Sequence, residues 1–518
     1  MPDNVAIVRS VPAALKRSRV RALTATYVAL FLVSQLPLYI VQYVDITDFP
    51  NHSARFHVLQ QLSTSATLQQ YYQAVPKAIF PNLAMELIVP LLGTLVGATL
   101  ALKLFASIST LLMTSGAIAL GFSLTGRVTY VTLGAVLFAN NAMLGFGLFN
   151  YIFGLGAALW LLSAWIAAGA NRNEGACVAG FTLGAIFVYF CHLSAFGVYA
   201  ITILGLQGRV VRRSIRLVDP IATLFPLACV AVLHVAVSQS PHDGMSGSAY
   251  GSPLTWLLYK IAIFVLAPAT AVSRYPIVGG SLGAALAATL YLGLRSGSLW
   301  FSPNAFRVFL PSAVAAAVLP PAILGSSLAD IRVLLAVVTL LWCSLDLRND
   351  RLERPIGIAV VASVLFISTA TSIEWAERDG DYRSIRQALS KVEHGARIAT
   401  IVVSGGETRV SPHVAAWAAE DRDAFVANLF SRPFQPVLLS YTYPYVALAT
   451  LARIERVFPA EPPRIDAITP CFDYILVVGT RADRAALHTA GEKLLYDSGD
   501  IHLMRTDTSA RHEMCLTQ

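Results

Sequence analysis

Apolar runs about as long as a bilayer is thick recur along most of this 518-residue chain, and they limit it more tightly than any other feature. Backbone in hydrocarbon must satisfy its own N–H and C=O groups, and uninterrupted runs of about 20 residues do so as helices. The first run, Arg21 to Val44, follows Lys16, Arg17, Arg19 and Arg21. It is long for a secretory leader and no small-residue cleavage site follows it, so it reads as a retained span. Of all residues 56% are hydrophobic and 13% charged, with a mean hydropathy of +0.62. Soluble domains carry about 25% charged residues, so the chain is an α-helical polytopic membrane protein whose immediate partners are membrane lipids. The net charge of +8 lies in short loops between spans, where it sets topology rather than marking a nucleic-acid partner.

The positive-inside rule keeps segment 1–21 cytoplasmic and sends the first span, about 22–43, outward. Outer loop 45–97 follows, then spans at about 98–122, 128–147 and 151–169, with Asn150 and Tyr151 at a headgroup-level turn. The run from Ala176 to Leu206 is too long for one crossing and splits into two short helices at CHLSAFG. Further spans fall at about 219–238, 277–294, 306–324, 331–346 and 356–373, for about eleven crossings. Segment 254–272, with Lys260, is read as interfacial or re-entrant, because as a crossing it would put Arg348, Arg351 and Arg354 outside.

From Glu374 the composition becomes that of a soluble domain, so 22–373 is the membrane domain and 374–518 a small extracytoplasmic α/β domain. Arg397 to Val403 and Tyr474 to Gly479 read as buried strands, VAAWAAEDRDAFVANLF as a helix, and Lys493 to Arg505 as a closing hairpin. Four of the six cysteines, Cys177, Cys191, Cys229 and Cys343, lie in apolar spans. Cys471 and Cys515 share the one polar, extracytoplasmic region, which is where a disulfide forms and persists; the expectation is a bond between them.

Ionisable residues concentrate in the first outer loop, at DITDFPNHSARFHVLQQL, Asp45 to Leu62. Charge at a bilayer boundary is costly to desolvate, so a cluster there points to a site. Asp48, His52, Arg55, Leu59 and Leu62 fall on one stripe of a helix with Pro50 in its first turn. The plainer alternative makes Asp48 an N-cap, with His52 and Arg55 facing headgroups. Glu86 lies between two prolines in PNLAMELIVPLLGTLVG, a second interfacial helix. No CxxC, HExxH, Walker loop or GxSxG is present.

This arrangement resembles the GT-C class of membrane glycosyltransferases, in which a first outer loop begins with a catalytic acid and continues into two interfacial helices. Asp45 and Asp48 stand in the place of that acid. The sequence also resembles a group of bacterial membrane proteins with a DxPNHxAR signature, matched by Asp48, Pro50, Asn51, His52, Ala54 and Arg55, and further in PNLAMEL, FNYIFGLG, HLSAFG, ADIRV and RDAFVANLF. The resemblance implies a bacterial inner-membrane, GT-C-like inverting glycosyltransferase. Its donor would be a polyprenyl-phosphate-linked sugar and its acceptor extracytoplasmic, with a divalent metal possible. The two acids are three positions apart where many GT-C enzymes have an adjacent pair, so either can be the base. Such chemistry needs a carboxylate to take a hydroxyl proton and cations to stabilise the departing phosphate. Candidates for substrate binding are His52, Arg55, Glu86, His192, Lys260 and Arg332, with Lys260 and Arg332 favoured as phosphate cations. The competing readings are a secondary transporter, which places ionisable groups in mid-membrane, and a non-catalytic anchor for the α/β domain. Nothing in the sequence fixes an oligomeric state.

Overall fold

The computed structural model describes residues 13–74, 81–211, 214–217, 220–237, a few positions between 254 and 261, 291–320, 322–323, 326–402, 410–430, 437–439, 471–479 and 493–506. Most of segment 254–272, most of the span expected at 277–294, and Cys515 lie outside the described residues.

Fifteen helices are used below: α1 Ala13–Ile40, α2 Phe49–Gln61, α3 Ala66–Tyr71, α4 Ala84–Val96, α5 Ala98–Thr125, α6 Tyr130–Leu133, α7 Ala142–Phe146, α8 Phe149–Ala168, α9 Gly175–Cys191, α10 Leu193–Gln207, α11 Pro220–Val237, α12 Ala305–Val318, α13 Ala329–Cys343, α14 Glu353–Leu389 and α15 Trp417–Arg422. Four are long and apolar enough to cross a membrane: Ser18–Ile40, Ala98–Thr125, Phe149–Ala168 and Glu353–Leu389. Six shorter apolar helices accompany them. The α5–α8 pair packs closely, and small residues permit it. A Cβ on Gly156 would lie 2.5 Å from the Met113 nitrogen, and one on Gly116 would lie 2.8 Å from the Gly156 carbonyl.

Several expected spans differ in form. The run expected as a single crossing at 128–147 is α6, a 3₁₀ turn at Gly134–Phe138 and then α7. Hydropathy reports burial, not continuity, and here two asparagines interrupt the helix. Asn140 donates to the Ser34 carbonyl at 3.1 Å, and Asn141 caps α7 by accepting from the Met143 and Leu144 amides at 2.8 and 3.1 Å. The split in the Ala176–Leu206 run falls at His192, whose extended backbone separates α9 from α10. Helix α13 has only 15 residues, nearly all buried. Its apolarity therefore reflects enclosure by other helices.

Helix α14 is continuous for 37 residues and runs unbroken through Glu374, where the sequence predicts a boundary between a membrane and a soluble region. The soluble region holds a five-stranded sheet of β1 Arg397–Val402, β2 Phe425–Val426, β3 Tyr474–Val478, β4 Lys493–Ser498 and β5 Ile501–Arg505, in the order β4-β5-β3-β1-β2. Strand β1 runs parallel to β2 and β3, and β5 is antiparallel to β3 and β4. The helix expected throughout VAAWAAEDRDAFVANLF is only a 3₁₀ turn and α15. It stops at Asp423, whose φ of 49° a helix cannot accommodate, and Phe425 and Val426 join the sheet edge.

The first loop is not spread on the bilayer surface. Ala54 and Val58 of α2, with Leu68, Tyr71 and Tyr72, share one apolar core with Tyr382, Trp417, Phe425 and Tyr474 of the soluble region. Residues Tyr72–Ala74 pair antiparallel with Val437–Leu439. Nine residues of α2, His52 and Arg55 among them, are buried, so they do not face headgroups. By contrast, Leu87, Leu91 and Leu95 of α4 form an exposed stripe at four-residue spacing, as a helix lying against lipid would.

Candidate active site

The site is built where α1 ends. Thr47 and Asp48 donate their amides to the Gly145 and Phe146 carbonyls at 2.9 and 3.2 Å, which seats the loop on the end of α7. Gly147 follows with a φ of +87°, and a Cβ there would lie 2.8 Å from the Asp48 Cβ. Only glycine fits. Pro50 then sets the first turn of α2, and the His52 amide bonds the Asp48 carbonyl at 2.9 Å.

Asp48 occupies the N-cap position, but its carboxylate makes no capping bond. It faces a pocket of charge instead. Burial pushes its carboxyl up to about 7, against the pull of the Arg332 and Arg55 guanidiniums. The His413 Nε2 atom lies 3.6 Å from Oδ1, and the side chain keeps 16% exposure.

Arg55 is locked from behind. Its Nη2 donates to Glu86 Oε1 at 2.5 Å, and Glu86 Oε2 accepts from Asn150 at 3.0 Å. Asn150 also accepts from the Met85 amide at 2.6 Å and donates to the Asn82 carbonyl at 3.0 Å, which fixes the start of α4 against α8. His52 donates from Nε2 to the Gly147 carbonyl at 3.0 Å, so its Nδ1 is bare where Arg55 Nη2 stands 3.5 Å away. Burial, and then Arg55, lower its pKa to about 3; His52 is a neutral spacer. Arg332, near the start of α13, is buried, and Tyr151 donates its hydroxyl to the Arg332 carbonyl. Asn150 and Tyr151, expected at headgroup level, are therefore interior residues of the site wall. His192 packs edge-on to Tyr151, with ring centroids 5.4 Å apart.

Two candidates lie apart. Both Asp45 oxygens are engaged: Arg378 bonds one and Tyr382 donates to the other at 2.6 Å, while Arg378 also bonds Glu374 at 2.6 Å. Asp45 thus ties the loop to α14. Lys260 donates to the Ala316 and Leu319 carbonyls, each at 2.7 Å, and lies 4.0 Å from Asp330. Its ammonium closes the end of α12 rather than joining the Asp48 pocket.

The structure brings together Asp48, His52, Arg55, Glu86 and Arg332, with His192 one ring further out. Sequence reasoning missed His413, Arg378 and Tyr382. The Asn51 of the DxPNHxAR match, which holds His413, was the available signal. Among the described residues, no group of three or more His, Cys, Asp or Glu that could hold a metal is assembled. Cys471, buried at the start of β3, is disulfide-bonded.

No family model matches the chain, and no curated protein matches it in sequence. Solved structures do match. ArnT from Cupriavidus metallidurans in the apo state aligns with a TM-score of 0.50 at 12% identity, covering 96% of this chain and 99% of that one. ArnT bound to undecaprenyl phosphate aligns with a TM-score of 0.48 at 11% identity, covering 95% and 98%. The first likeness is one of fold. With the four helices long and apolar enough to cross a membrane, it makes this chain a multi-pass membrane protein with an ArnT-like fold.

Proposed function

We propose that the protein is a membrane glycosyltransferase that moves a sugar from a polyprenyl-phosphate donor to an extracytoplasmic acceptor, with Asp48 as general base. One observation carries the reading: a carboxyl at the end of the first span, held near 7 by burial, stands in the field of two buried arginines. Asp48 takes the proton of the acceptor hydroxyl, that oxygen attacks the anomeric carbon, and the bond from that carbon to the phosphate oxygen breaks. The phosphate leaves with the electron pair, and Arg332 and Arg55 stabilise its charge. Attack opposite the leaving group inverts the anomeric centre. Asp45, with both oxygens occupied, is the less suitable base. The ArnT-like fold supports the same class of reaction, and the undecaprenyl phosphate carried by ArnT makes that lipid the first carrier to try. The charge pattern supports an N-terminus in the cytoplasm and the soluble domain outside, and the sequence resemblance implies the bacterial inner membrane.

The test is transfer of labelled sugar from polyprenyl-phosphate donors in isolated membranes, with and without chelator. Asp48→Asn should lower the rate by about two to four orders of magnitude. Normal transfer by Asp48→Asn with an inactive Asp45→Asn would move the base to Asp45. The buried Lys260–Asp330 pair is the feature a transporter would place inside its bundle. Solute uptake in vesicles that Asp330→Asn abolishes, with no sugar transfer, would replace the enzymatic reading.

A further inference from the structure

We infer that His413, supplied by the C-terminal domain, is a positioning residue for Asp48: it engages one carboxylate oxygen, leaves the other as the base, and so makes the site complete only when that domain is docked on α2. The inference rests on the glycosyl-transfer reading and adds to it a residue from the far end of the chain.

The protonation state of His413 follows from its neighbour. Asn51 Oδ1 accepts the Phe430 amide at 2.7 Å, which fixes the orientation of the Asn51 amide group. Its Nδ2 must then be the atom that donates to the Asn428 carbonyl at 2.8 Å and to His413 Nδ1 at 3.0 Å. An amide nitrogen only donates, so Nδ1 of His413 is bare and the ring proton sits on Nε2. That N–H is the group 3.6 Å from Asp48 Oδ1.

The ring is held from several sides. Phe430 packs edge-on to it at 5.1 Å between centroids and touches His52 at 5.7 Å. The His413 amide bonds Ser411 Oγ at 2.9 Å, and Ser411 donates to the carbonyl of Thr47, the residue before Asp48. The segment bearing His413 is therefore pinned to the segment bearing the carboxylate. At 3.6 Å the contact is longer than a hydrogen bond, and catalytic hydrogen bonds commonly tighten only around substrate. The other groups facing Asp48 are the Arg55 and Arg332 cations and the neutral His52, with Glu86 already committed to Arg55. None of these is shown donating to Oδ1. The signal in sequence is faint, because His413 stands in SPHVAAW, a stretch with no catalytic pattern.

Two conservative variants of the full-length chain in membranes separate positioning from structure. His413→Gln keeps an N–H at the reach of Nε2. His413→Asn keeps an acceptor for Asn51 at the Nδ1 position but cannot reach Asp48. His413→Asn should lower kcat for sugar transfer by about 10- to 100-fold with little change in KM, the loss expected of one hydrogen bond to a charged group. His413→Gln should return the rate to within about threefold of wild type. A second readout needs no turnover: carbodiimide labelling of Asp48, followed by mass spectrometry across pH, reports when the carboxyl is protonated. Its midpoint should rise in His413→Asn and stay in place in His413→Gln. Wild-type activity in His413→Asn, or equal loss in both variants, would overturn the inference while leaving the glycosyl-transfer reading intact. If wild-type membranes transfer no sugar, that reading fails, and an unmoved labelling midpoint in His413→Asn then overturns the positioning role separately.

Discussion

Removing the charge of Asp48 should stabilise the protein while it removes the activity. The carboxyl moves from 3.8 to about 7 on folding, chiefly because it is buried. A raised carboxyl favours the protonated form, so the native state incurs no penalty below pH 4 and a growing one as pH rises to 7. By linkage the full difference is about 4 kcal/mol at and above neutral pH. Asparagine is a near-isosteric stand-in for the protonated acid, and no capping bond is lost because Asp48 makes none. The assay is thermal unfolding in detergent, followed by a thiol-reactive dye that reports exposure of the buried Cys191 and Cys343. Asp48→Asn should unfold at a higher temperature than wild type at pH 8, and the gap should close toward pH 4. Sugar transfer by wild type should rise with pH through a midpoint near 7, as the base ionises. A variant less stable than wild type at pH 8, or a gap that does not change with pH, would refute the claim that this carboxylate is held against its own stability.

Asp45→Asn should part from Asp48→Asn in activity rather than in stability: burial raises its carboxyl too, so loss of its charge should not lower the unfolding temperature at pH 8, and the protein should transfer sugar at a near-normal rate. Gly156→Leu should prevent α5 and α8 from closing, because the Met113 backbone lies 2.5 Å from the position of a Cβ; loss of folded protein in detergent chromatography is the expected result. An Asp421→Cys chain should react with a membrane-impermeant maleimide in intact cells, and labelling only after lysis would place the soluble domain on the other side.

The class of fold was legible because hydropathy and loop charge report directly on helices in lipid. The gathering of Asp48, Arg55 and Glu86 into one buried charged cluster was legible because charge is rare at a membrane boundary. Long-range closure was not. Asp45 and Asp48 look equivalent in sequence, and they are distinguished by Arg378 and Tyr382 on α14, which only folding brings near. Tyr151 read as an interfacial aromatic because an amphipathic ring suits headgroups and a buried hydroxyl with a carbonyl partner equally well. The asparagines that interrupt the 128–147 run carry no signal beyond being polar until their backbone partners are known.

The uninterrupted helix from Glu353 to Leu389 makes the protein a lever. A rod of 37 residues is about 55 Å long, and a tilt of about 5° at its membrane end swings the other end through about 5 Å. That end carries Tyr382, which accepts the Ser411 amide at 3.3 Å and so stands beside the segment bearing His413. Because Arg378 and Tyr382 also hold Asp45, and Ser411 holds the Thr47 carbonyl, a re-tilt of the last span would carry the Asp48 loop and the His413 segment together instead of parting them.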